Sequence, residues 1–152
     1  MTMVRKKAKT KFENNWLFKS LESLEKDFWG EIPKDEGHLV STCHKLRKKQ
    51  LCELEIEDLR IMIGQNIGLK YLIPIAINAL HDNILAEGDY YEGDLLKSVL
   101  SSDASYWKNE IENWTEMCEL FRARISEVKK EAEYYKTGRE LLKTFKSFER
   151  IN

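Results

Sequence analysis

Cysteine is scarce: Cys43, Cys52 and Cys118 are the only three in 152 residues, and no two stand in a C-x-x-C spacing. An odd, scattered count excludes a disulfide framework and predicts free thiols in a reducing cytoplasm. No apolar run reaches the 18 residues that a membrane span needs, and the mean hydropathy is −0.54. The N-terminus, M-T-M-V-R-K-K-A-K-T-K, has no apolar segment behind it, so no secretory signal is expected. Phosphate-cradling loops are missing too. G-Q-N-I-G at 64–68 has neither the G-K-[ST] of a P-loop nor a G-x-G-x-x-G, and no G-x-S-x-G occurs. His38, His44 and His81 are the only histidines. The first two lie six apart, on different faces of a helix, with no cysteine at ligand spacing, so zinc is not expected. Catalysis, metals and cofactors are therefore not expected.

What is present suits a core and a binding surface. Hydrophobic residues make up 42% of the chain and charged ones 34%, enough for one domain of ordinary size with a solvated exterior. The net charge of −1 conceals an asymmetry. Arg5, Lys6, Lys7, Lys9 and Lys11 stand in the first 11 residues without an acid, leaving 20 basic and 26 acidic residues in the body. An acidic body disfavours direct nucleic-acid contact and favours a basic partner. Residues 1–12 are read as a disordered basic arm, and 13–150 as a single domain.

Apolar spacing predicts an all-α fold, a compact multi-helix bundle. Leu17, Leu21, Leu24 and Phe28 predict a first helix from Trp16 to Trp29, with Asn14, Asn15 or Ser20 as its cap and Gly30 and Pro33 as its end. A second helix is predicted over 38–49, with Leu39, Val40, Cys43 and Leu46 inward. A third begins near Glu55, where Glu55, Glu57 and Asp58 complement the helix dipole. The stretch from Leu69 to Leu80 is apolar nearly all round and predicts the central, buried helix, with Pro74 in its first turn or at a kink. Trp107, Ile111, Trp114, Cys118, Phe121 and Ile125 then recur at alternating spacings of four and three. That repeat predicts a long C-terminal helical segment, loosened at Thr137–Gly138, packed on the core or used as a dimer seam.

Between the central helix and this segment lies the loop from Asp82 to Asp94. It carries five acids, no base, two glycines and two tyrosines. E-G-D-Y-Y-E-G-D does not follow the alternating oxygen pattern of a calcium loop. No barrel or α/β framework surrounds the acids for glycosidase work. The loop reads either as solvated, helix-capping acids, with Asp94 as the cap, or as an acidic and aromatic surface for a cationic partner.

The blocks L-E-S-L-E-K-D-F-W-G-E-I-P at 21–33, H-L-V-S-T-C-H-K-L-R-K-K-Q-L at 38–51, E-D-L-R-I-M-I-G-Q-N-I-G-L-K-Y-L-I-P-I-A-I at 57–77 and L-A-E-G-D-Y-Y-E-G-D-L-L at 85–96 carry a resemblance. Over roughly residues 20–107 the chain resembles the bacterial contact-dependent growth inhibition (CDI) immunity proteins. It departs at Gln50, where the family commonly has proline, and the resemblance leaves residues 108–152 without a role. The resemblance implies a cytoplasmic protein that binds and blocks the C-terminal toxin domain made by the same cell. Such toxins are often nucleases, and members similar to this chain are linked with ribonucleases of the pancreatic type. A basic nuclease cleft would accept an acidic loop in place of phosphates. Glu87, Asp89, Glu92 and Asp94 would then face toxin lysines, and Tyr90 or Tyr91 would fill a base-stacking pocket. Two alternatives stay open: the motif shapes the fold while other surface reads the toxin, or the protein is a helical adaptor or regulatory dimer.

Overall fold

A computed structural model describes residues 12–152; apart from Phe12, the basic arm expected over 1–12 lies outside the described residues. Among the described residues there are nine α-helices, two short 3-10 turns and two isolated β-bridges. The all-α expectation holds.

α1 (Leu21–Glu25), α2 (His38–Arg47), α3 (Ile56–Gly64), α4 (Leu69–Asp82) and α5 (Asp94–Leu100) come first. α6 (Ala104–Asn109), α7 (Ile111–Ala123), α8 (Ile125–Tyr134) and α9 (Lys136–Phe148) follow. α4 is the central element, packed against α3, α5 and α7. Its Leu72, Ile73, Ala76, Ile77 and Leu80 are fully buried, and each large side chain contributes about 2 kcal/mol by leaving water. Lys70, Asn78 and Asp82 keep a narrow stripe exposed, so the helix is not apolar all round. Pro74 sits in the second turn rather than the first. α3 starts where its acids predict: Glu55 and Asp58 form a reciprocal capping box, the Glu55 N–H donating to Asp58 Oδ2 at 2.9 Å.

The single helix expected over Trp16–Trp29 is absent. A 3-10 turn at Trp16–Phe18 is followed by the five-residue α1, capped by Ser20, whose Oγ accepts the Ser23 N–H at 3.2 Å. The cause is tertiary. Lys19 and Ser20 are drawn out alongside Gln50 and Leu51, the Leu51 N–H donating to the Lys19 carbonyl at 3.0 Å. The helix then stops at Lys26, which adopts a left-handed conformation (φ 53°). Leu21 and Leu24 are buried as expected, whereas Phe28 is 68% exposed. The chain beyond α1 is tied to α2 by Arg47, whose guanidinium donates to the Glu25 carboxylate and the Asp27 carbonyl and lies 4.4 Å from the Trp29 ring centroid.

The C-terminal segment is also segmented. Non-helical backbone at Glu110, Arg124 and Tyr135 divides it into four helices. The breaks fold the apolar repeat onto the chain's own core. Trp107, Cys118 and Phe121 are buried; Phe121 stacks on Phe145 at 3.9 Å, and Trp107 meets Phe148 edge-on at 4.8 Å. The Trp114 indole N–H donates to the Phe148 carbonyl at 3.0 Å. A dimer seam along this repeat would need those faces free, and only Ile111 stands well exposed. α8 and α9 pack so closely at Gly138 that a Cβ there would lie 2.5 Å from the Ala132 nitrogen.

Candidate functional site

The acidic loop leaves α4 at Asn83 and returns as α5, anchored at its base by two buried side chains, Ile84 and Ala86. The Asn83 side chain accepts the Leu85 N–H at 3.0 Å, and the Gly93 N–H donates to the Leu85 carbonyl at 3.1 Å. Glu87 and Glu92 face each other across an isolated bridge. Gly93 closes the turn at φ 94°, a conformation that costs glycine little, and a Cβ there would meet the Leu141 side chain of α9 at 2.8 Å.

Asp94 is the hub. It opens α5, but its carboxylate turns back into the loop and accepts the N–H groups of Gly88 (2.7 Å), Tyr90 (3.1 Å) and Tyr91 (3.4 Å). It is 3% exposed. The helix-capping role expected of Asp94 is not seen: Gly93 holds the cap position, and the Asp94 oxygens are taken by the loop's own N–H donors.

α3 supplies a second support that the loop's sequence does not reveal. Glu57 and Arg60, one helical turn apart, form a two-pronged ion pair at 2.6 and 2.5 Å. Glu57 Oε1 also accepts the Asp89 N–H at 2.9 Å, while the Arg60 guanidinium lies 4.4 Å from the Tyr90 ring centroid and 3.8 Å from Asp94. The Arg60 hydrogen bond, with help from the Asp89 N–H, holds the Glu57 carboxyl below the usual glutamate range despite partial burial. Arg60 is pushed up, chiefly by the same pair. The available sequence signal was an arginine and a glutamate three apart in E-D-L-R-I-M-I.

The six expected contact residues thus fall into two groups. Glu87, Asp89, Tyr90 and Glu92 are exposed, Tyr90 at 71%. Tyr91 is half-buried, its phenol raised by burial and then by the Asp94 and Glu140 charges, and Asp94 is enclosed. On the α8 side the half-buried Glu131 lies beside these acids; its carboxyl is raised by burial, by the charge of Glu92 and a hydrogen bond with it, and by the charge of Glu87. Between the loop, α2 and α3 lies an open cleft of about 410 Å³. Among the described residues no group of histidine, cysteine and acidic side chains is arranged to hold a metal ion, and no helix is long and apolar enough to cross a membrane.

A buried carboxylate thus holds an acidic, aromatic loop above an ion-paired helix. The family model for CDI immunity proteins matches residues 23–117, from within α1 to about the middle of α7, and the chain belongs to this family. No curated protein and no solved structure matches the chain. Membership implies binding and neutralising a CDI toxin.

Proposed function

We propose that the protein neutralises a ribonuclease toxin by covering its active site with the loop of residues 83–93. Residues 13–150 act as one domain in the cytoplasm of the cell that makes the toxin. A ribonuclease cleft is positive because it holds phosphates. Glu87, Asp89 and Glu92 offer carboxylates in their place, and Tyr90, with Tyr91 behind it, offers an aromatic ring where a base would stack. The observation that carries this reading is the loop's internal order. Its N–H groups are satisfied by Asp94 and Glu57, so the exposed acids are held in place before binding and little ordering entropy is lost. Asp94 serves the loop's shape, the one position at which a fold-shaping role for the motif is favoured over contact.

The test replaces Glu87, Asp89 and Glu92 together by their amides, leaving Asp94 intact. Affinity for the toxin domain encoded beside this gene should fall by about 2–5 kcal/mol, with a weaker salt dependence of association. Unchanged affinity would move the toxin interface elsewhere on the surface.

A further inference from the structure

The cleft beside the loop has no role in the reading above, in which the loop alone enters the toxin. α2 supplies Leu39 and Thr42, α3 supplies Arg60 and Ile61, and the loop supplies Asp89 and Tyr90. Its volume of about 410 Å³ lies at the lower end of the roughly 300–1,000 Å³ typical of ligand pockets. Two of the chain's exposed large hydrophobic residues, Leu39 (44% exposed) and Tyr90 (71%), stand on its rim. Isolated apolar residues on a surface mean little, but an aliphatic and an aromatic residue on one concavity mark an interface anchor point.

The charges choose the occupant. Arg60 is the one lysine or arginine lining the cleft, with His38 as the one histidine, its ring beside Thr42; Arg60 is already engaged by Glu57 in a two-pronged pair, with Asp94 beneath. Asp89 has no ion pair among the described residues, and its backbone N–H donates to Glu57. The lining therefore carries more negative charge than its one arginine offsets. Arg60 covers one face of Tyr90, and the ring's high exposure leaves the other available to a second cation. Apolar walls below an uncompensated acid suit a side chain with a long hydrocarbon stem and a cationic head.

We propose that this cleft receives one lysine or arginine side chain of the bound toxin. The occupant's stem lies against Leu39 and Ile61, and its charge meets Asp89 and the free face of Tyr90. The inference rests on the immunity reading, and extends the interface from the loop onto α2, where the loop substitutions do not reach.

The experiment measures toxin affinity for the wild-type chain and for Leu39→Arg, Leu39→Glu and Ile111→Arg. Ile111 is a comparably exposed apolar residue on α7 and serves as the control. Leu39→Arg places a fixed cation at the cleft and should weaken binding at least 30-fold; Leu39→Glu and Ile111→Arg should stay within about 3-fold of wild type. Circular dichroism melts check that each variant folds, and Thr42→Lys repeats the test from the neighbouring turn if Leu39→Arg does not. Equal losses for Leu39→Arg and Leu39→Glu would overturn the proposal, leaving an ordinary apolar contact. Tight wild-type binding unaffected by Leu39→Arg would also overturn it and leave the immunity reading standing. Absence of wild-type binding would remove both.

Discussion

The Asp94 carboxylate accepts the Gly88 N–H at 2.7 Å from six residues away, turning the acidic loop into a closed ring above the start of α5. The same carboxylate takes the Tyr90 N–H and lies 3.8 Å from Arg60. One buried side chain thus fixes the backbone at residues 88, 90 and 91, on either side of Asp89.

Asp94→Ala should accordingly be the most damaging substitution in the loop. It leaves two or three N–H groups without acceptors, at a cost of about 3 kcal/mol. Urea unfolding should show a lower midpoint at an unchanged slope, and hydrogen exchange at Gly88 and Tyr90 should accelerate. Glu92→Ala, at an exposed position, should change stability by no more than about 0.5 kcal/mol.

Two glutamates should impose opposite pH dependences. Glu57 has a folded pKa below the usual 4.5, so its ionised form adds stability that is present above that value and is lost as pH falls through the folded one. Glu131 is raised from 4.5; it costs stability as pH rises from the unfolded value through the folded one. Glu131→Gln should therefore stabilise the protein at pH 7 and make no difference at pH 3. Carboxyl NMR titration should find Glu57 below and Glu131 above the ordinary glutamate value.

Packing, rather than backbone freedom, governs two other glycines. Gly138→Ala pushes a Cβ onto the Ala132 and Glu131 backbone of α8, which cannot rotate away, and should destabilise the fold by about 1–3 kcal/mol. Gly64→Ala, in the last turn of α3, meets only the Ser98 Oγ at 3.5 Å. It should be neutral or stabilising by up to about 1 kcal/mol. Paired thermal melts compare the two.

The helices were legible wherever one segment's own pattern decided its structure. The start of α3 followed from Glu55 and Asp58, and the place of α4 from its apolar run. The first helix was overestimated because Leu17, Leu21, Leu24 and Phe28 have helical spacing, while Lys19 and Ser20 are held extended by pairing with a distant segment. The C-terminal repeat told which residues face the core, Ile111 excepted, but not that the chain bends at Glu110, Arg124 and Tyr135, none of them a proline or glycine. In the loop, composition marked the acids and tyrosines. Nothing local distinguished Asp94, which is buried, from Asp89, which is not. That difference depends on which carboxylate the loop's N–H groups reach, and on Glu57 and Arg60, some thirty residues earlier.

The three cysteines should separate cleanly by reactivity. Cys52 is exposed, while Cys43 and Cys118 are buried. Burial raises both enclosed thiols, Cys118 to about 11, so neither carries much thiolate at neutral pH. A thiol-specific reagent should label one cysteine in the native protein and all three in denaturant; rapid labelling of two or more native thiols would contradict the packing around α2 and α7.

The central claim is that the chain stops a ribonuclease by covering its active site. A binding isotherm against the toxin domain encoded beside this gene, run with an RNA-cleavage assay on the same mixtures, tests it most directly. Nanomolar affinity with cleavage abolished at one equivalent is the expected result. Tight binding that leaves cleavage intact, or no binding at all, would contradict it.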